Sequence, residues 1–473
     1  MIGDILVTLL AGREIGQIRR TRSNRLTFSY NEEWRKFRGA FPLSLSMPLA
    51  VGEHSHEKIE AFLWGLLPDN ELVLGRWAHR FQVSARNAFS LVSYIGEDCP
   101  GAVQFVRPER LDAILTSRVP EIDWLDEADV AERLRSLRAD QSAWRMPHDT
   151  GQFSLAGAQP KTALIYDGGR WGVPSGRMPT THIFKPPTGE FDGHAENEHF
   201  CLMLARELGL PAASSEIMRF DGETAIVIER FDRIRTSGMA AAAAMESASH
   251  AAATAPMKTE DAPDAAKAAA DAAARAHALG ELAKTQPILR LHQEDICQAL
   301  GLQPIAKYQN DGGPSPEDIV ALLRTHSSRP IEDIGAFVDA LAFNWFIAGT
   351  DAHAKNYSLL HGGGGRVRLA PLYDVAGALP YLDPQQIKLA MKIGDKYRIR
   401  DIGPRQWRKL ATGTRLDPDQ TMARLVEFAS NIPERVALVH GLIRGEGITH
   451  PIIDRLAEAI TARAAQCLRM LRL

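Results

Sequence analysis

The stretch 349-GTDAHAKNYS-358 places an acid, an imidazole, an amine and an amide close together along the chain. It follows an apolar run, Phe337 to Ile347, whose spacing predicts a helix that ends just before the stretch. A second acid, Asp374, lies in the short apolar segment 369-LAPLYDV-375, which predicts the end of a strand. An Asp five residues before an Asn, followed by a later Asp at a strand end, is the layout that phosphoryl transfer requires.

This layout gives each of the three side chains a separate role. Asp351 would orient the attacking hydroxyl, while oxygens of Asn356 and Asp374 would hold Mg²⁺ against the phosphates of ATP. Asp351 and His353 could instead begin a metal site, because alternate residues of an extended segment lie on the same side. No second cluster with the spacing of a metal hydrolase supports that alternative, so a kinase is the first hypothesis.

Composition describes an ordinary globular protein of two or three domains, with 473 residues, 45% of them hydrophobic and 24% charged. A net charge of -3 provides no general attraction to nucleic acids or to anionic membranes. The four cysteines are far apart and lack zinc-binding spacing, which favours free thiols in a reducing compartment. No stretch approaches the roughly 18 uncharged apolar residues that a membrane-spanning helix requires. We therefore predict a cytoplasmic protein without membrane contact.

The chain divides into four parts, which together predict an α+β fold. Residues 1–145 begin with a β-hairpin whose turn contains Gly12, and continue with helices. Residues 146–235 alternate strands with one helix, which resembles the small lobe of a kinase, although this pattern alone does not separate it from other α+β folds. Helices dominate residues 289–473, and the first of these is predicted over Gln293–Leu300.

The fourth part, residues 236–288, is rich in alanine and nearly free of Leu, Ile, Val and Phe. Such a segment can bury almost no apolar surface, although part of it has strong helix propensity. We interpret it as a disordered, low-complexity insertion in a surface loop. A binding role is a weaker alternative than a tolerated insertion.

Three further segments support the kinase hypothesis. The loop 154-SLAGAQPK-161 is made of small residues that would let backbone N–H groups approach phosphate oxygens. Lys185 lies at the end of a predicted strand, where it could bind the α- and β-phosphates. The segment 227-VIERFD-232 is an apolar strand that runs into a charged turn, as a linker between two lobes would.

Taken together, these segments closely resemble the HipA family of bacterial serine/threonine kinases, the toxins of type II toxin–antitoxin pairs. The matching segments, in the order of the family, are FSLAGAQPKTAL, THIFKP, NEHFCLMLARELGL, IVIERFDR, RLHQEDICQALGL, KYQNDGG, GTDAHAKNYS and LAPLYDV. They span residues 150 to 395, and the N-terminal hairpin and the segment LWGLLPDN also resemble the family. The resemblance implies a two-lobed kinase-like fold with an N-terminal β-rich subdomain and a mostly helical C-terminal lobe.

The resemblance also implies a role for each matching residue. Asp351 would be the catalytic base, with Asn356 and Asp374 as Mg²⁺ ligands. The residues implied to bind ATP are Ser154, Ala156, Gly157, Lys161, Lys185, Glu229, Phe231, His353 and Tyr373. Glu198 could pair with Lys185, as kinase helices commonly arrange, or could be a first-turn acid favoured by the helix dipole.

Ser154 matches the serine that the family autophosphorylates. A phosphate there adds about -1.5 to -2 charge, and its repulsion against ATP could expel the loop and inactivate the enzyme. The chain departs from the family pattern at Ala352, where glycine is usual, and at Pro160, which replaces an acidic residue and stiffens the loop.

The family implies a HipB-like helix-turn-helix antitoxin as partner, through which the complex would bind operator DNA. It also implies a protein substrate, plausibly an aminoacyl-tRNA synthetase, and growth arrest or persistence as the result. Two alternatives remain open. One is a catalytically silent co-repressor module for the antitoxin, and the other is a kinase of the same fold that acts on a small molecule or lipid.

Overall fold

The structure is a computed structural model that describes residues 4–116, 122–146, 149, 153–176, 178–187, 189, 191–237, 239 and 287–472. The disordered insertion predicted over residues 236–288 falls almost wholly outside these described residues.

The described residues form eighteen strands and thirteen α-helices, in a mixed order that agrees with the predicted α+β class. The strands are β1 (Ile5–Leu10), β2 (Arg13–Arg20), β3 (Leu26–Tyr30), β4 (Glu53–His54), β5 (Val103–Val106), β6 (Ile122–Leu125), β7 (Thr162–Asp167), β8 (Arg170–Pro174), β9 (His182–Lys185), β10 (Ser215–Phe220), β11 (Glu223–Glu229), β12 (Arg233–Arg235), β13 (Ile288–Arg290), β14 (His292–Asp295), β15 (Ser358–Gly362), β16 (Arg366–Leu369), β17 (Lys388–Ile393) and β18 (Lys396–Arg398). The helices are α1 (Glu32–Lys36), α2 (His56–Leu66), α3 (Glu71–Phe81), α4 (Ala88–Ile95), α5 (Pro108–Thr116), α6 (Glu127–Ala139), α7 (His194–Glu207), α8 (Ile296–Leu300), α9 (Pro316–His326), α10 (Pro330–Ile347), α11 (Pro404–Gly413), α12 (Pro418–Gly445) and α13 (Ile452–Leu471).

The N-terminal region is built on a five-stranded sheet with the strand order β4-β3-β2-β1-β5. The predicted hairpin is confirmed: β1 and β2 pair antiparallel, and Gly12 in their turn has a φ of 76°. Apolar side chains of α2 and α4 pack on this sheet, among them Phe62 and Leu91. Helix α2 ends at Leu66, shortly before Pro68, which has no N–H for a helical hydrogen bond.

A six-stranded sheet with the order β10-β11-β9-β7-β8-β6 follows the N-terminal region. Ala225 and Val227 of β11 belong to the apolar cluster that includes α6, whereas Ile226 and Ile228 of the same strand belong to the cluster that includes α7. Because successive strand residues point to opposite faces, α6 and α7 cover opposite faces of this sheet.

The strand β6 and the helix α6 precede residue 146, the predicted start of the small lobe. The strand β6 nevertheless belongs to the six-stranded sheet, and α6 packs on one of its faces. The division of the chain into four parts stays a prediction.

The C-terminal part is built around α10, in which Phe337, Phe343 and Trp345 are among the fully buried side chains. The helices α12 and α13 contribute apolar side chains to the same core. The helix predicted over Gln293–Leu300 is partly wrong, because β14 continues to Asp295 and α8 begins only at Ile296. Asp295 caps α8 through a capping box with Gln298. Because the helix begins only after this cap, the polar residues before Asp295 can pair in the strand β14.

Four consecutive glycines, 362–365, lie at the turn between β15 and β16, where Gly362 pairs with Arg366. Gly364 and Gly365 have φ values of 73° and 78°. The four glycines therefore form a hairpin turn, in which the positive φ values suit glycine.

The two ends of the alanine-rich segment meet in an antiparallel pair formed by β12 and β13, with Arg235 opposite Ile288. The N–H of Thr236 also donates to the carbonyl oxygen of Pro287, at 3.0 Å. The chain therefore leaves and re-enters the described structure at one place. None of the described helices is both long and apolar enough to cross a membrane.

Buried charges join the N-terminal region to the segments on either side of this strand pair. Asp98 accepts from Arg233 at 2.9 Å and from Arg290 at 3.3 Å, while Asp232 pairs with Arg230 at 2.9 Å. Arg230 and Asp232 therefore have a structural role as ion-pair partners. Burial raises the pKa of the Asp98 carboxyl, but Arg233, Arg230 and Arg290 lower it more, so the net pKa lies well below the usual range.

We expect Asp98→Asn to lower the free energy of unfolding by about 3–5 kcal/mol, because it leaves a cluster of buried guanidinium groups with Asp232 in place of two carboxylates. Urea titration followed by circular dichroism measures this loss. The matched control is Asp395→Asn, whose exposed carboxylate is 3.8 Å from Lys409, and which should cost less than about 1 kcal/mol. Equal costs for the two variants would contradict a structural role for the buried charges.

Candidate active site

A cleft of about 560 Å³ lies between the six-stranded sheet, the N-terminal region and the C-terminal helices. Most of the residues singled out from the sequence line it. They are Ala156, Gly157, Lys161, Lys185, Glu229, Phe231, Asp351, His353, Asn356, Tyr373 and Asp374. Ser154 is the exception, because its side chain is turned away from the cleft and has no exposed surface.

The turn that carries Asp351 is shaped by the end of α10. Ala348 has a φ of 56°, and the N–H of Gly349 donates to the carbonyl oxygen of Asn344 at 2.8 Å. A Cβ on Gly349 would lie 2.1 Å from Asn344 Oδ1, so any other residue here would require the Asn344 side chain to move. Asn356 Nδ2 then donates to the carbonyl oxygen of Asp351 at 2.7 Å. The side-chain oxygen of Asn356 takes no part in this bond.

The carboxylate of Asp351 is exposed in the cleft, with 60% of its side chain accessible. It accepts a hydrogen bond from the hydroxyl of Tyr308, a residue of the KYQNDGG segment. His353 Nε2 lies 3.8 Å from Asp351 Oδ1. Burial lowers the pKa of His353, which favours a neutral imidazole at neutral pH. A neutral His353 does not form an ion pair with Asp351, so the Asp351 carboxylate is available to accept a proton from a hydroxyl.

Lys185 lies at the end of β9 with its ammonium between two carboxylates. Its Nζ is 2.7 Å from Glu198 Oε1 and 2.7 Å from Asp374 Oδ1. Burial alone would lower the pKa of Lys185, but Asp374 and Glu198 raise it above its usual value, so the amine is charged. Of the two roles left open for Glu198, the structure shows the pairing with Lys185, and the acid in the first turn of α7 is Glu196.

Asp374 follows Leu372, which forms a parallel bridge with Ala212, and has a φ of 57°. A left-handed conformation is uncommon outside glycine, so the surrounding contacts must hold this residue in place. Gly377 exchanges two hydrogen bonds with the side chain of Asn197 on α7, at 2.8 and 2.9 Å. Burial raises the pKa of Asp374, but Lys185 and Lys161 lower it more, so the carboxylate is ionised.

The phosphate loop, residues 154–161, closes on itself through Lys161, whose Nζ donates to the carbonyl oxygen of Ala156 at 2.8 Å. Gly157 has a φ of 100°, and a Cβ there would lie 2.6 Å from Lys161 Nζ. Burial, and then the charge of Lys185, lower the pKa of Lys161 to about 8. The loop therefore places a titratable amine directly against its glycine.

Ser154 begins this loop with its hydroxyl directed away from the cleft. Its Oγ donates to the carbonyl oxygen of Leu66 at 2.5 Å, and its N–H donates to that of Asp98 at 2.8 Å. The flanking Phe153 and Leu155 belong to the apolar core of the N-terminal region. A phosphoryl group could reach Ser154 only after this part of the loop leaves the core.

The connection between the lobes carries Glu229, an exposed residue at the end of β11, and Phe231. The Phe231 ring centroid is 5.6 Å from that of Tyr373. The hydroxyl of Tyr373 donates to the carbonyl oxygen of Lys355 at 2.6 Å, which ties this aromatic pair to the Asp351 turn. Two aromatic rings, tilted by 35° against each other, thus border the cleft after β11.

Asp69, Lys307 and Lys355 line the cleft and are among its charged residues that had no predicted role. Asp69 accepts from Lys307 at 2.8 Å and from Lys355 at 2.6 Å. All three lie in segments that match the family, so their positions could have been noted, but their pairing joins residues far apart in the chain. Among the described residues, no group of three or more His, Cys, Asp or Glu side chains could hold a metal ion. The Asp351–His353 pair therefore gains no third ligand of these types.

Comparison with known proteins assigns the chain to a family. The HipA N-terminal domain matches residues 6–106, and the HipA-like C-terminal domain matches residues 153–288 and 275–436. The chain is 32% identical over 460 residues to a Sinorhizobium fredii protein provisionally named as the kinase Y4mE, with 96% of each chain covered. It is 28% identical over 424 residues to the serine/threonine-protein kinase toxin HipA of Shewanella oneidensis, covering 87% of this chain and 83% of the relative.

The structure is also similar to HipA from the complex of Shewanella oneidensis HipA, HipB and operator DNA, with a TM-score of 0.76 and 24% identity. The match covers 99% of this chain and 98% of the other. This likeness confirms the predicted two-lobed, kinase-like fold with its N-terminal β-rich region. The chain belongs to the HipA family.

Proposed function

We propose that this protein is a serine/threonine protein kinase that transfers the γ-phosphoryl group of ATP to a protein hydroxyl. The observation that carries the proposal is the convergence of Lys185, Asp351, Asn356 and Asp374 in one cleft, with Lys185 bonded to Glu198. A Lys–Glu pair beside a metal-binding Asp is the arrangement that protein kinases need in place for activity. The name of the Shewanella oneidensis relative gives independent support.

The oxygens of Asn356 and Asp374 fit a magnesium ion. Mg²⁺ prefers hard oxygen ligands and is held in kinases by one or two protein groups together with substrate phosphates. The Asp374 carboxylate is ionised, and Asn356 uses its amide nitrogen on the Asp351 carbonyl, which leaves its oxygen for the ion. When bound, the ion would neutralise charge on the phosphates.

The remaining groups position the reactants. Lys185 would bind the α- and β-phosphates, and the phosphate loop with Lys161 would surround the terminal phosphates. Asp351 would accept the proton of the substrate hydroxyl while the oxygen of that hydroxyl forms a bond to the γ-phosphorus. The bond between that phosphorus and the bridging oxygen breaks, and ADP leaves with the electron pair.

We propose an aminoacyl-tRNA synthetase as the protein substrate and a HipB-like helix-turn-helix protein as the partner that recruits operator DNA, in the cytoplasm. The partner proposal rests on the overall likeness to HipA from its complex with HipB and DNA. Comparison of phosphoproteomes after expression of the wild type and of an inactive variant would identify the substrate.

Labelled ATP with Mg²⁺ tests the activity. We expect the wild type to label itself or added substrate, and Asp351→Asn to lower the rate by at least about 100-fold because it removes the proton acceptor. The matched control is Asp419→Asn, an exposed acid paired with Arg408 outside the cleft. No label on the wild type would favour the silent co-repressor, and label only on a small molecule or lipid would favour the second alternative.

The pH dependence of nucleotide binding tests Lys161. A protonated amine binds phosphate, so affinity falls once the pH exceeds the pKa of about 8 in the free protein. Between about pH 7 and pH 9 we expect the dissociation constant of a non-hydrolysable ATP analogue to rise about tenfold. Lys161→Arg stays charged over this range and should abolish the rise. Calorimetric titration measures both, and an equal rise in the variant would assign the effect to another group.

Burial of Ser154 predicts slow autophosphorylation limited by loop release. Leu155→Ala removes apolar contacts that hold the loop, which are worth about 2–5 kcal/mol for a buried leucine, and should speed self-labelling at saturating ATP at least tenfold. The control is Leu6→Ala, a fully buried residue of the same core on β1. Ser154→Ala should remove the label. Equal acceleration by the two leucine variants would mean that general destabilisation, not loop release, controls the rate.

A further inference from the structure

We infer that Asp69 of the N-terminal region is a positioning residue for the active site, which holds the phosphate loop and the Asp351 turn in register with each other. The inference deepens the proposed kinase function and rests on it only for its effect on rate. According to this inference, the N-terminal region contributes directly to the arrangement of the active site.

The first observation is the backbone contact between the segment after α2 and the phosphate loop. Pro68 forms a parallel bridge with Gly157, and the N–H of Asp69 donates to the carbonyl oxygen of Gly157 at 3.0 Å. The hydroxyl of Ser154 donates to the carbonyl oxygen of Leu66, the last residue of α2. The back of the phosphate loop is therefore bonded to residues 66–69 at both its start and its glycine.

The second observation is the contact that the Asp69 side chain makes on the other side of the cleft. Its two oxygens each accept from a different ammonium group, Oδ2 from Lys307 and Oδ1 from Lys355. Lys355 immediately precedes Asn356, and the carbonyl oxygen of Lys307 accepts from the N–H of Ala354 at 3.1 Å. Both lysines are thus attached to the turn that carries Asp351.

Burial makes this contact strong. The Lys355 side chain is 3% exposed and that of Asp69 is 16% exposed. Removal of one partner of such a pair leaves a buried charge uncompensated, which proteins tolerate poorly. An uncharged residue at position 69 would therefore force Lys355 to move toward solvent, and Asn356 would move with it. The backbone contact of residue 69 with Gly157 does not depend on the side chain and should persist.

These contacts predict a separation of effects. Asp69→Asn should leave the phosphate loop in place, so the dissociation constant of a non-hydrolysable ATP analogue should change less than about threefold. The loss should occur in kcat, which we expect to fall at least about tenfold because the base and the magnesium ligand are displaced. A general loss of folded protein would lower the concentration of active sites instead, which active-site titration with the analogue would detect.

Hydrogen–deuterium exchange tests the inference without requiring activity. We expect amides 353–357 to exchange at least about tenfold faster in Asp69→Asn than in the wild type, since their hydrogen bonds lose the anchor at Lys355. The matched control is Glu71→Gln, a neighbouring exposed acid at the start of α3, which should leave exchange unchanged. Lys355→Met supplies a second variant, because it removes the same ion pair without leaving a buried ammonium.

The double variant Asp69→Asn with Lys355→Met decides whether Asp69 acts through Lys355. If it does, the double variant should exchange no faster than Lys355→Met alone. Unchanged exchange at amides 353–357 in a folded Asp69→Asn protein would overturn the inference, as would fully additive effects in the double variant. Absence of phosphoryl transfer in the wild type would refute the proposed kinase instead and would leave the exchange result decisive for Asp69.

Discussion

The ammonium group of Lys185 contacts carboxylates from two separate parts of the chain, Glu198 on α7 and Asp374 after β16. A buried cation is costly unless it is paired and hydrogen-bonded, so this contact requires β9, α7 and the Asp374 segment to be assembled correctly together. The left-handed backbone at Asp374 has the same requirement, because only the surrounding bonds hold it there. The site thus exists only when the small lobe and the C-terminal helices are docked on each other.

The Asp351 turn and most of the secondary structure could be predicted from local pattern. Glycine and proline mark the ends of α2 and the β15–β16 hairpin, and apolar spacing marks α10 and α7. The strand β14 was missed because its residues alternate weakly and continue into α8 without a breaker. Burial of His292 and Glu294 against the N-terminal region stabilises that strand, and such a contact has no local signal in the sequence.

The residues of the candidate site could be predicted from the sequence, but several of the contacts that these residues make could not. Resemblance of ordered motifs supplied Lys185, Asp351, Asn356 and Asp374, which the fold brings into one cleft. The ion pairs of Asp69 with Lys307 and Lys355 join residues more than 200 positions apart, so they depend on how the N-terminal region docks. The orientation of Ser154 toward Leu66 is likewise a property of packing, because a small hydroxyl fits either side of a loop.

The antiparallel pair of β12 and β13 has a consequence for how this fold can vary. Its strands end at Arg235 and Ile288, so chain inserted there begins and ends at adjacent points on the surface of the described structure. The entropy of closing such a loop grows only with the logarithm of its length, and each doubling costs about 0.6 kcal/mol. Evolution can therefore lengthen or shorten this connection with little effect on the cleft. The same place offers a site where a fluorescent reporter domain could be inserted while the catalytic groups keep their positions.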